Sequence, residues 1–164
     1  MSEDRARNKE LNYYGEGEHN LGYATPKSAG MDLPYYDPDK ESIFINPGER
    51  VALPSGVYCE FPFSHFGLLD TRSSTSKKKL MLACRTIDED YRGNIHVILI
   101  NCGLHPVEVE RGEFLAHMII LPYVQPVLTR LDSKEELSDS VRGTGHSGST
   151  GVGVNKEVKD GSFN

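Results

Sequence analysis

A succession of short apolar runs, each stopped by turn-forming residues, limits what this chain can fold into. The runs occupy positions 42–46, 50–53, 57–61, 67–69, 80–83, 95–100, 107–109 and 114–121, and Pro47-Gly48 and Pro54-Ser55-Gly56 separate the first three. They are too short for amphipathic helices and match strands that bury one face. Repeated with turns between them, they predict an all-β sandwich or barrel. The one helix candidate is at 133–136, where Ser-Lys-Glu-Glu matches a capping box. No apolar periodicity follows it, so at most a short helical turn is expected.

The two ends of the chain read differently from the middle. Residues 1–22 are polar and Gly-rich and are expected to form a mobile or insertional lead-in to a β domain at 23–141. From 142 to 164 the chain turns to Gly, Ser and Thr, forming a C-terminal arm that cannot pack on itself. Such an arm is either a disordered tail or a lid whose amides and hydroxyls close over an anion, with Arg142 supplying a bidentate phosphate contact.

With 164 residues, 37% of them hydrophobic, the chain suits one domain with a real core. A net charge of −6 argues against a nucleic acid polymer as partner, because that interaction needs a basic surface. Lys77, Lys78 and Lys79, near Arg72, form the concentrated basic patch, read either as a solvated strand end or as a local phosphate site. Cys59, Cys84 and Cys102 have no metal-binding spacing and fit a reducing compartment. No apolar run approaches the ~18 residues of a membrane span. The first residues lack the apolar core of a signal peptide, so no membrane partner and a cytoplasmic location are expected.

Two glycine motifs are formal only. Residues 143–148 satisfy GxGxxG, but no βαβ pattern surrounds them, so a dinucleotide site is rejected. No Lys precedes Ser149-Thr150, which excludes a phosphate-binding P-loop as well.

The run Ile-Asp-Glu-Asp-Tyr-Arg-Gly at 87–93 is more informative. It packs three carboxylates and a ring between two apolar runs, which fits a β-hairpin. Alone, it reads either as a charged surface turn or as a platform holding a small ring beside a carboxylate. Four further segments change the balance: 29–33, 72–75, 112–117 and 142–151. Together they supply separated carboxylates, phosphate-reading arginines with neighbouring hydroxyls, an aromatic platform and a Gly-rich closing loop. That inventory suits a triphosphate held with Mg²⁺, a hard ion that keeps several waters and needs few protein ligands.

In order and content these segments resemble the five motifs of the homotrimeric deoxyuridine triphosphatase (dUTPase) family, of which the chain is identified as a divergent member. The resemblance spans about residues 28–151. It implies a jelly-roll-like β-clip barrel, a homotrimer with active sites shared between subunits, and Mg²⁺-dependent hydrolysis of dUTP to dUMP and pyrophosphate. The arm would close a neighbouring site. Asp88 resembles the catalytic carboxylate that contacts the sugar and activates the attacking water. Tyr91 resembles the residue under the deoxyribose, and Asp32 the carboxylate that meets the metal through water. Arg72, Ser73 and Ser74 match the phosphate-contacting segment, His117 stands where a phosphate-contacting Gln is usual, and Arg142, Ser149 and Thr150 match the arm residues on the β- and γ-phosphates.

Three departures accompany these matches. Ser147 stands where the family carries a Phe over the base, leaving His146, one position earlier, as the ring available to stack. His117 replaces the usual Gln and can still donate to phosphate. Cys84-Arg85-Thr86 replaces a small Gly-containing segment, and sixteen positions separate Arg72 from Asp88, slightly fewer than in the family. Arg85 would have to face solvent, phosphate or a modified base. The alternatives are a triphosphatase with shifted pyrimidine preference, for dCTP or a modified deoxyuridine nucleotide, and a catalytically weak nucleotide-binding regulator. Deamination, as in the related dCTP deaminases, is disfavoured because Ile98 stands where those enzymes use a Glu.

Overall fold

The computed structural model describes residues 10–18, 20–140 and 143. The strands are β1 Asn12–Gly15, β2 Met31–Pro34, β3 Ser42–Ile45, β4 Arg50–Pro54, β5 Val57–Glu60, β6 His65–Thr71, β7 Leu80–Leu82, β8 Thr86–Ile87, β9 His96–Asn101, β10 Val107–Glu110 and β11 Phe114–Pro122. All their pairings are antiparallel. They form two pairs, β1-β5 and β10-β3, a three-stranded sheet β4-β9-β7 and a four-stranded sheet β2-β11-β6-β8. The expected all-β class is what the chain adopts. It divides after Gln125 into two units. The second contains the short 3₁₀ turn Lys134–Glu136, where Ser133 and Glu136 complete the expected capping box.

Alternation builds the core of the first unit. Along β9, Val97, Leu99 and Asn101 are fully buried while the residues between them face outward. Leu33, Ile45, Leu53, Leu69, Leu115 and Met118 meet them from other strands. Asn101 is the one amide among the described buried residues, and its side chain is bonded through both amide hydrogens and its oxygen. Its Nδ2 donates to the carbonyls of Ile45 and His105, both at 2.8 Å, and its Oδ1 accepts from the Gly103 amide at 2.8 Å. The side chain thereby replaces ladder bonds that β3 and the 102–106 loop would otherwise lack.

Four elements depart from the sequence reading. The lead-in contains β1, held by its partner rather than by its own hydrophobicity. Tyr14 lies 5.8 Å from Tyr58 across the pair, and the Tyr58 hydroxyl donates to Glu16 at 2.7 Å. A single helical turn, α1 Ser73–Lys77, forms in a Ser/Thr segment of weak helix propensity. Its buried Thr75 hydroxyl donates to the Leu115 carbonyl at 2.7 Å, a tertiary bond invisible in local sequence. β2 is short and carries little periodic signal. Finally, residues 87–93 are not a hairpin: β8 pairs with β6, whereas β9 pairs with β4 and β7, so the loop crosses between sheets.

Replacing Asn101 with Ala leaves three backbone groups without their partner and should cost about 2–4 kcal/mol, measured as a lowered denaturant midpoint. Burial pushes the Cys59 thiol up to about 12. An alkylating reagent at pH 8 should therefore leave Cys59 unmodified in native protein and modify it once the protein is unfolded.

Candidate active site

The first group of polar side chains is organised by β11, which pairs with β2 on one side and β6 on the other. Its register against β2 shifts between Phe114 and Ala116, so Leu115 is an extra residue. The bulge lets Leu115 and Ala116 both point inward, and it changes the phase of everything after them. Met118 then continues the inward face and His117 turns outward. Directly opposite His117 stand Asp32 on β2 and Asp70 on β6, so the three side chains share one face. The His117 ring lies against Gly30, where an added Cβ would come within 2.9 Å of ring carbon Cδ2.

Arg72, immediately after β6, reaches over the end of this row. Its Nε pairs with Asp32 Oδ1 at 3.2 Å, and its guanidinium carbon lies 5.3 Å from the centre of the Phe114 ring. Nη1 donates to the Phe114 carbonyl at 3.3 Å. The aromatic face and the carboxylate hold a cation at the outer surface, an arrangement suited to meeting phosphate oxygens. Ser73 and Ser74, at the start of α1, are exposed beside it. The basic patch is partly committed elsewhere, since Lys78 pairs with Glu113 at 2.5 Å.

Asp88 and Tyr91 lie on the crossing loop beyond β8, at the other edge of the four-stranded sheet. Three strand spacings, about 14 Å, separate β2 from β8 across that sheet. Asp88 lines a cavity of about 650 Å³ with Phe63, Phe66, Thr86, Glu89, Asp90, Tyr123 and Gln125. Among the described residues no hydrogen bond or ion pair occupies the Asp88 carboxylate. Its neighbour Glu89 is tied down: one carboxylate oxygen accepts both the Ser64 amide at 2.9 Å and the Tyr123 hydroxyl at 2.7 Å. That bond is the largest cause raising the Tyr123 hydroxyl above its usual pKa, followed by burial and by the charges of Glu89, Asp90 and Asp88.

Tyr91 is partly exposed and is not among the described residues lining that cavity. Its hydroxyl donates to the Asn94 carbonyl at 2.9 Å, and an added Cβ on Gly93 would come within 2.5 Å of it, so a side chain at 93 would push the Tyr91 ring from this position. Asn94 Oδ1 in turn accepts the amides of Ser55 and Gly56, fastening the loop to the β4–β5 turn. Arg85 is half exposed and paired within the chain: Nη2 pairs with Asp70 at 3.0 Å and Nε donates to the Leu69 carbonyl at 2.9 Å.

The structure therefore brings Asp32, Arg72 and His117 together with Ser73 and Ser74 close by, and leaves Asp88 and Tyr91 at the opposite edge. Arg142, His146, Ser149 and Thr150 lie outside the described residues. Sequence reasoning missed Phe114 beneath Arg72 and the Ser64–Tyr123–Glu89 contact. The only signal for Phe114 was a place within a site-bearing segment; nothing local pointed to Tyr123.

Comparison with known proteins places the chain among relatives of one family. A deoxyuridine 5'-triphosphate nucleotidohydrolase of Maricaulis maris is 39% identical over 155 residues, covering 93% of this chain and 99% of that protein. The enzyme of the same name from Methylocella silvestris is 38% identical over 140 residues, 84% of this chain and 86% of that one. In three dimensions the chain is similar to the dUTPase of Staphylococcus bacteriophage 80alpha with dUPNHPP, with a TM-score of 0.77, 23% identity and coverage of 88% of this chain and 100% of that chain. It is also similar to a dUTPase of phage phi11 of S. aureus described with a structural Mg(II) ion, with a TM-score of 0.67, 21% identity and coverage of 77% and 99%. These two likenesses concern the fold. The dUTPase family model matches residues 18–151, and with relatives this similar over most of the chain, the protein belongs to the dUTPase family.

Proposed function

We propose that the chain hydrolyses dUTP to dUMP and pyrophosphate by attack of water at the α-phosphorus, with Asp88 as the group that orients and deprotonates the water. The observation that carries this reading is the Asp88 carboxylate, unpaired among the described residues, in a cavity whose neighbouring acid, Glu89, is held through one oxygen by Ser64 and Tyr123. Water oxygen bonds to the α-phosphorus, the bond to the bridging oxygen breaks, and the proton passes to Asp88 as pyrophosphate leaves. Charge gathering on the leaving group requires fixed donors. Arg72, Ser73, Ser74 and His117 supply them from the β2 edge, and Arg142, Ser149 and Thr150 from the arm. Tyr91 packs under the deoxyribose, and His146 is the candidate cover for the base.

The separation of Asp32 and Arg72 from Asp88 supports a site built from two edges belonging to different chains, as in a homotrimer whose arms at 142–164 close neighbouring sites. On this reading 1–22 leads into the β domain at 23–141. Among the described residues no three His, Cys, Asp or Glu side chains converge as a metal cage. A single carboxylate, Asp32, fits an ion that arrives on the triphosphate and keeps its waters. When bound, Mg²⁺ would supply charge neutralisation along the phosphate chain, and Asp32 would meet it through water. No described helix is long and apolar enough to cross a membrane, which is compatible with a cytoplasmic enzyme.

A second reading, shifted pyrimidine preference, is favoured by Cys84-Arg85-Thr86. With Arg85 committed to Asp70, the edge beside Thr86 is left without the small residue usual in the family. Full-length protein with Mg²⁺ and dUTP, dCTP, dTTP or UTP, scored for pyrophosphate, separates the readings. Release from dUTP at least ~10²-fold faster than from the others is expected, and release from none of them would refute an enzyme. Asp88→Asn should lower kcat by about 10³-fold or more with binding largely retained; undiminished hydrolysis would show that the carboxylate has been misassigned. Ending the chain after Ser140 should remove turnover while leaving the oligomer seen by light scattering unchanged, and a fully active truncated protein would refute the closing arm.

A further inference from the structure

Ser64, Glu89 and Tyr123 come from three parts of the chain and meet beside Asp88. The Ser64 backbone is bonded on both sides. Its carbonyl accepts the Tyr123 amide at 2.9 Å, and its own amide, held in a left-handed conformation at φ 57°, donates to Glu89. A non-glycine residue in that conformation is uncommon. Here it turns the amide toward the carboxylate. Tyr123 directly follows β11, and its ring packs edge-on against Phe66, with centroids 6.2 Å apart and planes at 76°. Its hydroxyl reaches the same Glu89 oxygen that the Ser64 amide reaches.

We infer that Tyr123, acting through Glu89, is a positioning residue that fixes the Asp88 carboxylate for water activation. The inference rests on the proposed role of Asp88. Glu89 is the next residue in the chain, so anchoring its carboxylate to β11 and to the turn before β6 restricts the backbone that carries Asp88. The backbone of Asp88 is tied besides by the pairing of Ile87 with Gly67 on β6 and by the Tyr91 amide, which donates to the Asp88 carbonyl at 3.1 Å, whereas the Glu89 contact is what links the loop to the end of β11. Tyr91, Arg92 and Asn94 tie its far end together, with Arg92 Nη1 donating to the Glu89 carbonyl at 2.7 Å and the Tyr91 carbonyl at 3.0 Å. The Tyr123 hydroxyl belongs to no substrate contact in this scheme. Its effect is on geometry, where misplacement of a reacting group by about 1 Å can cost ~10²-fold in rate.

The test is steady-state kinetics of the full-length protein with dUTP and Mg²⁺. Tyr123→Phe keeps the ring and its packing on Phe66 and removes only the hydroxyl. It should lower kcat about tenfold while KM stays within about twofold and the thermal midpoint within a few degrees. Glu89→Ala should lose at least as much, and Glu89→Gln, whose amide oxygen can accept both donors, should recover most of that loss. In an Asp88→Asn background, Tyr123→Phe should cost nothing further, since the contact acts through Asp88. An unchanged kcat in Tyr123→Phe, or equal losses in Glu89→Gln and Glu89→Ala, would overturn the inference while leaving Asp88 in place. Undiminished hydrolysis by Asp88→Asn would instead overturn the site reading on which it rests.

Discussion

One extra residue in β11 decides which way the site faces. Strand side chains alternate, so a bulge at Leu115 exchanges inside for outside along everything that follows. Without it, His117 would point into the apolar core and Met118 into water. With it, Ala116 and Met118 fill the interior while His117 joins Asp32 and Asp70 on the outer face. The same stretch supports the side proposed to read phosphate: the Leu115 carbonyl accepts the Thr75 hydroxyl that holds α1, and Phe114 underlies Arg72. Fold and site are thus fixed by a common piece of backbone. A deletion there would disturb both.

Much of the fold was legible because burial on one face leaves a period of two in the sequence. The runs at 42–46, 50–53, 57–61, 95–100 and 114–121 correspond to β3, β4, β5, β9 and β11. β1 and α1 escaped notice because partners hold them: a cross-strand tyrosine pair in one case, a single buried hydroxyl in the other. The loop at 87–93 was misread as a hairpin for a related reason. Turn chemistry is local, whereas the choice of which strand to join is made by the whole core, and β8 and β9 belong to different sheets.

The site was legible as a set of residue types in order, and less so as an arrangement. The motifs singled out Asp32, Arg72, His117 and Asp88 as candidates, yet no spacing along the chain indicated that Asp88 sits at the edge opposite Asp32. Arg85 shows the same limit. In sequence it looks like an intruding charge near the base; in the fold it is neutralised by Asp70, a residue that no motif had singled out. Neighbours distant in sequence decide what a charged side chain is for.

The placement of β2 and β8 at opposite edges of one sheet has a consequence for how such a protein works in solution. On the proposed reading, no isolated chain owns a complete reaction centre, so turnover per chain depends on how many chains have found each other. Activity then becomes a report on concentration. Dilution would silence the protein without unfolding it, and chains that differ at one edge only could complement each other when mixed.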